Sequence, residues 1–238
     1  MTAIGLAGSF DITLSAGQLL LGHPKRPSDA NLLSSQGCAS GASLEDAALR
    51  GLLELIEVDA LRRWKSGDAV ASPVAWEPIG RQLALAERLL NEGRQLRICR
   101  IGHRSTARVF MSICCDIGGA RPSIGSAAGI DPTDTLDRAL IESVFMWRNL
   151  VAMEHRGVQD TDLSPLHLEI LKAWRGQIAL PTIQDSDPAP LGAANAPNVP
   201  AECSMASLSN AWGESVAVFN MTRQPIGIPV VRVVRLDE

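Results

Sequence analysis

The 238-residue sequence predicts an α+β protein with internally repeated units, and three observations lead to this prediction. Several long segments have the apolar spacing and the polar ends of amphipathic helices. Shorter runs rich in Val, Ile and Cys have the composition of buried strands. A glycine-flanked turn followed by a charged helix occurs twice in the chain. We expect a single domain over residues 1–238.

The predicted elements follow one another along the whole chain. At most one or two short strands are expected within 1–36, and 72–78 is a proline-containing connection. The stretch 181–200 contains five prolines, so we predict a mobile loop there. Helices are predicted at 44–65, 81–91, 132–155, 165–175 and 205–211, and strands at 95–101, 107–115, 215–220 and 226–235.

The composition limits the classes of partner. A net charge of −4 and an aromatic fraction of 4%, with no Tyr, argue against a nucleic-acid partner. No apolar run approaches the roughly 18 residues that a membrane span needs. No basic residue precedes His23, so we expect no secretory signal and a cytoplasmic location. The five cysteines form no CxxC pair, which predicts reduced thiols that behave as small apolar residues, with no metal.

Two copies of one motif lie 88 residues apart, at 37–54 and 125–142. Ser43 and Asp131 are suited to cap the two helices, and Pro132 fits the first helical position. Seven of the eighteen aligned positions are identical: Gly37/Gly125, Ala39/Ala127, Gly41/Gly129, Asp46/Asp134, Arg50/Arg138, Leu52/Leu140 and Glu54/Glu142.

Each helix of the repeat carries Asp, Arg and Glu on one face, because steps of four residues stack side chains along a helix. Glu57 adds a further carboxylate to the first copy. Two interpretations remain open. One is a pair of solvated faces with ordinary ion pairs, Arg50–Glu54 and Arg138–Glu142. The other is a shared cleft whose paired carboxylates would suit a hard divalent cation with phosphate.

Three ordered segments resemble the YcaO family. The first, SSQGCASGASLEDAALRGLLELIEVDALRRW, is similar to the family's small-residue turn, its helix with Glu-x-x-Glu-Arg and the Asp-Ala that follows. The second, GSAAGIDPTDTLDRALIES, resembles its third helix, and VAVFNMTRQPIGIPVVRVV resembles its closing strand pair. The resemblance runs from about residue 20 to the end. It implies a YcaO-like fold that is N-terminally truncated relative to typical members.

The resemblance also implies ATP-dependent chemistry on peptide backbones, in the biosynthesis of ribosomally made natural products. Members of the family activate an amide carbonyl by phosphorylation and yield azolines, thioamides or amidines. Cyclodehydratase members work with a leader-binding partner and often beside a flavin dehydrogenase. The chain also resembles the short relatives that occur in trifolitoxin-type gene clusters, which implies a flavin-dependent dehydrogenase as partner, with FMN bound only there.

The chain departs from the family's motifs at several positions. The family's Asn and Glu before the first motif helix fall on Ala42 and Asp46. Its Ser-x6-Glu-x3-Gln motif falls on Thr135, Glu142 and Met146. Its Ser-x3-Glu-x-x-Glu-Arg motif keeps both glutamates but loses the serine and the arginine, and it falls on Arg50, Glu54, Glu57 and Val58. The proline-rich C-terminal tail of azoline-forming members is absent.

These departures lead to a hypothesis about the cofactor. Val58 cannot offer charge-assisted hydrogen bonds to phosphate, and Met146 cannot hydrogen-bond an adenine or ribose as Gln would. We therefore expect that Mg-ATP, which is typical of the family, is not used here in the ordinary way.

The candidate site consists of the surviving polar side chains. Grouped carboxylates shift one another's pKa values and suit general acid–base work, so Glu54, Glu57 and Glu142 are the catalytic candidates. Arg50, Arg138, Asp46 and His103 are the substrate-binding candidates. The first functional hypothesis is a subunit that promotes cyclisation of a precursor peptide. The alternatives are a non-catalytic YcaO-like scaffold that binds the peptide and a flavin-dependent dehydrogenase partner, and an ATP enzyme with rearranged ligands. We expect a homo- or hetero-oligomer.

Overall fold

The computed structural model describes residues 2–5, 11–13, 35–163, 165–191 and 204–236. These residues form ten strands, five α-helices and a short 3-10 helix at Asp160–Asp162. The strands are β1 (Thr2–Gly5), β2 (Asp11–Thr13), β3 (Cys38–Ser40), β4 (Ala71–Ala75), β5 (Arg94–Ile101), β6 (Arg108–Asp116), β7 (Ser123–Gly129), β8 (Ala189–Pro190), β9 (Val216–Asn220) and β10 (Val230–Arg235). The helices are α1 (Leu44–Ser66), α2 (Arg81–Asn91), α3 (Pro132–His155), α4 (Pro165–Trp174) and α5 (Met205–Trp212).

The helix predictions are confirmed nearly residue by residue because their end signals are local. Ser43 Oγ accepts the N–H of Asp46 at 3.1 Å, and the Asp131 side chain accepts the N–H of Asp134 at 2.7 Å. Pro132 occupies the first turn of α3, where its missing N–H has no partner to lose. Within the described residues, no helix is long and apolar enough to cross a membrane.

The chain divides into two compact units. Unit 1 comprises Met1–Asp59, His103–Ala107 and Pro197–Glu238. Its antiparallel sheet has the strand order β2-β1-β9-β10-β3. The buried side chains of this sheet include Val231, Val233 and Phe219. As predicted, the chain's last two apolar runs pair with each other inside a sheet.

Unit 2 comprises Ala60–Gly102 and Arg108–Ala196, with the strand order β7-β6-β5-β4-β8. Helix α3 packs on β6 and β7. β6 is buried on both faces, which explains its nearly continuous apolar sequence. As predicted, Cys99, Cys114 and Cys115 are free and buried in strands, whereas Cys203 lies outside the described residues. The core under α3 consists of Ile98, Phe110, Ala127, Leu136, Ala139 and Leu140.

The two units share one plan, which confirms the internal repeat. In unit 1 the edge strand β3 leads into α1, and in unit 2 the edge strand β7 leads into α3. The outermost strands at the other edge differ. β2 is antiparallel to β1, whereas β8 runs parallel to β4.

Several boundaries differ from the predictions. The glycine-flanked segments before the two repeat helices were predicted as turns, but they contain strands β3 and β7. The proline-containing connection 72–78 includes β4, whose Pro73 is in register with Cys99. The last strand begins at Val230 rather than 226, after a turn. The mobility of 181–200 and the single domain stay predictions, and residues 192–200 lie outside the described residues.

The error at β7 has a steric cause. A Cβ atom at Gly125 would overlap the backbone N of Ser143 and lie 2.7 Å from the carbonyl carbon of Glu142. Helix α3 therefore rests with its backbone directly on this strand. Small residues are required by that close approach, although by composition alone they are typical of a turn.

We expect Gly125→Ala to lower the free energy of unfolding by about 1–3 kcal/mol or more, because neither backbone can move away cheaply. Gly118→Ala is the matched control, since a Cβ there would meet nothing within 4 Å. Urea denaturation of both variants measures the difference. Equal stabilities would contradict the close packing of α3 on β7.

Candidate functional site

The predicted site residues divide between the two units, and each group is described within its own unit. Unit 1 holds the candidates of α1 and the loop residue His103, and unit 2 holds Arg138 and Glu142. The shared cleft that the sequence suggested stays a prediction.

Asp46 closes the start of α1. Its carboxylate accepts the N–H of Ala42 at 2.9 Å and the Nε–H of Arg50 at 3.1 Å. The Ala42 N–H, and next the Arg50 guanidinium, hold the pKa of Asp46 below its ordinary value. Arg50 therefore pairs with Asp46 rather than with Glu54. Its side chain is 63% exposed, so the guanidinium face remains open to solvent.

Glu54 turns back toward the start of the same motif. It is half-buried, and it accepts a hydrogen bond from the backbone N–H of Gly37. Desolvation raises the pKa of Glu54, and the Gly37 N–H opposes part of that shift. The nearby Cys38 thiol has a pKa raised by burial, with Arg232 lowering it and Glu54 raising it further. A carboxyl, a thiol and a guanidinium thus lie close enough to influence one another.

Glu142 makes a related contact in unit 2, one aligned position further along the motif than Gly37. Its Oε2 accepts the backbone N–H of Ser126 at 2.7 Å. Glu142 is exposed as a residue, but the strand beside it desolvates the carboxyl enough to raise its pKa, while the Ser126 N–H and the Arg138 charge act against this shift. Arg138 donates through Nη1 to the carbonyl of Ala128 at 3.2 Å. Both α3 side chains therefore bind the backbone of β7.

The repeated glutamates have one structural task in common. β3 and β7 are edge strands, and an edge strand presents backbone groups that no neighbouring strand satisfies. The helix that follows each strand supplies a carboxylate acceptor, for the N–H of Ser126 within β7 and for the N–H of Gly37 immediately before β3. We call this hydrogen bond from the backbone N–H to the glutamate carboxylate the tether. It explains the spacing between the glycine-rich segment and the glutamate, and it exists whether or not the glutamates act on a substrate.

Partly buried side chains occupy the positions at which this chain is compared with the family's motifs. Val58 and Glu57 are half-buried on α1. Met146 packs against the cluster of Leu150, Leu171 and Trp174. The side chains that stand where the family has Arg and Gln thus offer apolar surface.

His103 lies in a buried polar cluster of unit 1 that the sequence did not reveal. Its side chain is only 1% exposed, and its Nε2 lies 3.1 Å from Asp59 Oδ2. Nδ1 accepts the backbone N–H of Ser105 at 3.1 Å, so the ring proton that reaches Asp59 is assigned to Nε2. The Trp212 indole N–H also points at Asp59 Oδ2, at 3.4 Å. Arg235 lies 3.8 Å from Asp59 Oδ1.

The order Ser105, His103, Asp59 resembles the hydrogen-bonded chain of a serine nucleophile. Ser105 Oγ lies 2.8 Å from His103 Nδ1, but Ser105 is only 2% exposed. A hydroxyl without access to substrate cannot act as a nucleophile, so burial favours a structural role for the cluster. Sequence reasoning missed it because Asp59 and His103 lie 44 residues apart.

Within the part of the chain that the structure describes, no group of three or more His, Cys, Asp or Glu side chains could hold a metal ion. Glu54 and Glu142 each already bind a backbone N–H.

The repeated sheet-and-helix fold, with a glutamate on each repeat helix, is the arrangement that the sequence resemblance implied. The model of the family described as "YcaO cyclodehydratase, ATP-ad Mg2+-binding" matches residues 18–235. The chain belongs to the YcaO family, which confirms the resemblance. No curated protein sequence matches the chain.

Solved structures share this fold. A heterocyclase in complex with substrate and cofactor is 20% identical, with a TM-score of 0.74 over 98% of this chain and 32% of that chain. YcaO from Methanopyrus kandleri, bound with AMPPCP and Mg²⁺, is 20% identical, with a TM-score of 0.67 over 98% and 62%. The E. coli microcin synthetase McbBCD complex is 16% identical, with a TM-score of 0.69 over 98% and 63%. This chain thus spans about a third of the first and less than two thirds of the others.

We expect Glu142→Ala to lower the free energy of unfolding by about 1–3 kcal/mol, because the buried Ser126 N–H loses its acceptor. Glu142→Gln keeps an acceptor oxygen and removes the desolvated charge, so it should be at least as stable as wild type at neutral pH. Urea denaturation measures both variants. Equal losses in the two would contradict the proposed tether.

The pH dependence has a definite sign. The raised pKa means that the folded state keeps the Glu142 proton at a pH where the unfolded chain, titrating near 4.5, has lost it. Wild-type stability therefore falls as pH rises from about that value through the folded pKa. In Glu142→Gln this fall should be smaller.

We expect His103→Ala to destabilise the chain by at least about 2 kcal/mol, because the buried Asp59 carboxylate loses a hydrogen-bond donor. Arg104→Ala, at the exposed neighbouring position, should change stability little. Thermal unfolding followed by circular dichroism compares the two. A neutral His103→Ala would show that the cluster contributes nothing to the fold.

Proposed function

We propose that this chain is a subunit of a peptide-modifying complex that promotes cyclisation, with heterocycle formation, on a ribosomally made precursor peptide. The observation that carries the proposal is the family match over residues 18–235, with both glutamates of the first motif retained. Similar structures include a heterocyclase with substrate and a microcin synthetase complex. The cytoplasm, where ribosomal peptides are made, is the proposed place of action.

The proposed chemistry proceeds without the ordinary use of Mg-ATP. Two features support this part. Val58 and Met146 offer apolar surface where the family has Arg and Gln. Glu54 and Glu142 are engaged by backbone N–H groups.

The glutamates are the proposed acid–base groups. Desolvation raises the pKa of both Glu54 and Glu142 toward the range in which a carboxyl exchanges protons effectively. Glu57, one turn after Glu54, is the third candidate. Without phosphorylation, the substrate must arrive already electrophilic, and oxidation by a flavin-dependent dehydrogenase partner, holding FMN, would supply that state. The glutamates would then move protons during ring closure.

Substrate binding is proposed for the exposed charges around these carboxyl groups. Arg50 and Arg138 have exposed guanidinium groups that suit a peptide carboxylate or carbonyl. Asp46 orients Arg50 through their direct hydrogen bond. The burial of His103 supports a role in holding unit 1 together rather than in binding substrate.

A second candidate function is a non-catalytic scaffold that binds the peptide and the dehydrogenase. The observation that favours it is the tether itself, because Glu54 and Glu142 have a structural reason to be retained. The two functions predict different responses to isosteric substitution.

We expect Glu54→Gln and Glu142→Gln to reduce product formation at least about tenfold, because an amide cannot exchange the proton. The assay co-expresses the chain with its neighbouring gene products and a precursor peptide, and mass spectrometry detects water loss from the peptide. Glu87→Gln, on the exposed face of α2, is the matched control.

The outcomes separate the hypotheses. Full activity of both glutamate variants, with the complex intact, would support the scaffold. A purified reaction that stops when ATP is left out would contradict the ATP-independent chemistry. Water loss from the peptide in the absence of this chain would contradict both the catalytic role and the scaffold role.

A further inference from the structure

A groove of about 530 Å³ lies beside β4 in unit 2. One part of its wall is apolar, with Val74, Trp76 and Leu96. The rest includes the charged side chain of Arg97 on β5 and the polar residues Gln184 and Asp185. The groove therefore combines apolar surface with one cation and one anion.

The polar wall belongs to residues 183–190, which we name the strap. Ile183 forms a single parallel bridge with Ala71, and the Gln184 N–H donates to the Ala71 carbonyl at 2.8 Å. The strap next pairs with the sheet at β8, where only Ala189 and Pro190 are in register with β4. Each such backbone bond contributes about 1 kcal/mol or less in net terms. The Ser72 hydroxyl adds a hydrogen bond to Gln184 Oε1 at 3.2 Å, and the strap turns between Gln184 and Ser186 before it reaches β8. Few bonds therefore hold the strap to the sheet.

The charges in the groove are not used by the fold. Arg97 and Asp185 are both exposed, and neither forms a hydrogen bond or ion pair with any of the described residues. Arg94, three residues before Arg97 on β5, is by contrast buried and lies 2.6 Å from Asp116. A free guanidinium that lines a groove suits a carboxylate, which it can bind in a two-pronged geometry.

We propose that this groove binds an extended segment of the precursor peptide in which an acidic side chain neighbours an apolar one. The acidic group would pair with Arg97, and the apolar group would pack against Val74, Trp76 and Leu96. β8 shows that the β4 edge accepts an extended chain, and Asp185 of the strap places a carboxylate in the same groove. The peptide would take over the edge from the strap, as peptides do when they add a strand to a sheet. This inference rests on the proposed function for the identity of the peptide.

The test uses fluorescence anisotropy with the purified full chain. The probe is a fluorescein-labelled peptide of sequence ELSELSELSE, and its neutral match is QLSQLSQLSQ. We expect the acidic peptide to bind about tenfold more tightly than the neutral one, as a charge-assisted pair gives. Arg97→Gln should remove this preference, whereas Arg100→Gln, on the same strand, should keep it.

A second variant tests the competition. Replacing residues 184–190 with a Gly-Ser segment of equal length preserves chain length and removes both aspartates and both prolines of the strap, Asp185, Asp187, Pro188 and Pro190. This variant should bind the acidic peptide several-fold more tightly than the wild type. Circular dichroism establishes that each variant is folded before binding is measured.

Three results would overturn the inference. They are no binding to either the wild type or the strap variant, an undiminished preference in Arg97→Gln, and weaker binding after strap replacement, which would mean that the strap only covers a sheet edge. Failure here is distinguishable from failure of the proposed function. Peptide binding is measured without turnover, and the glutamate substitutions test turnover without altering the groove.

Discussion

The close approach of a helix backbone to an edge strand governs both units. In unit 2, Gly125 lets α3 lie directly on β7, and this contact brings the Glu142 carboxylate within 2.7 Å of the Ser126 N–H. In unit 1, a Cβ at Gly51 would lie 2.7 Å from the carbonyl oxygen of Gly37, which immediately precedes β3, so α1 also approaches this segment closely. The hydrogen bonding of the backbone at the strand edge, the position of each helix and the raised pKa values of the two glutamates all follow from this geometry.

That geometry gives the glutamates two properties at once. A carboxyl pressed against a strand is partly desolvated, which favours its protonated form, and it also accepts a backbone hydrogen bond, which favours its charged form. Desolvation is the larger effect in both units. A tether that is needed for folding is therefore also a group suited to proton exchange, and retention of these residues alone cannot distinguish catalysis from structure.

The two units differ in the groups that stand in register at aligned positions of the repeat. β10 places Arg232 in register with Cys38, whereas β6 places Met111 in register with Ser126 at the equivalent position. Each unit also buries charged side chains, Asp59 beside His103 in unit 1 and Arg94 paired with Asp116 in unit 2. Buried charge needs compensation from specific partners, so these positions tolerate substitution poorly in both units.

The sequence by itself determined the elements whose signals are local. Caps such as Asp131 and apolar runs such as β6 gave correct helices and strands, and the glycine-to-glutamate spacing revealed the repeat. Tertiary structure alone decided that the glycine-rich segments are strands, because only contact with α3 distinguishes a close-packed strand from a turn. It also decided the partners of His103 and Glu142, since hydrogen bonds between residues distant in sequence depend on how the sheets pack.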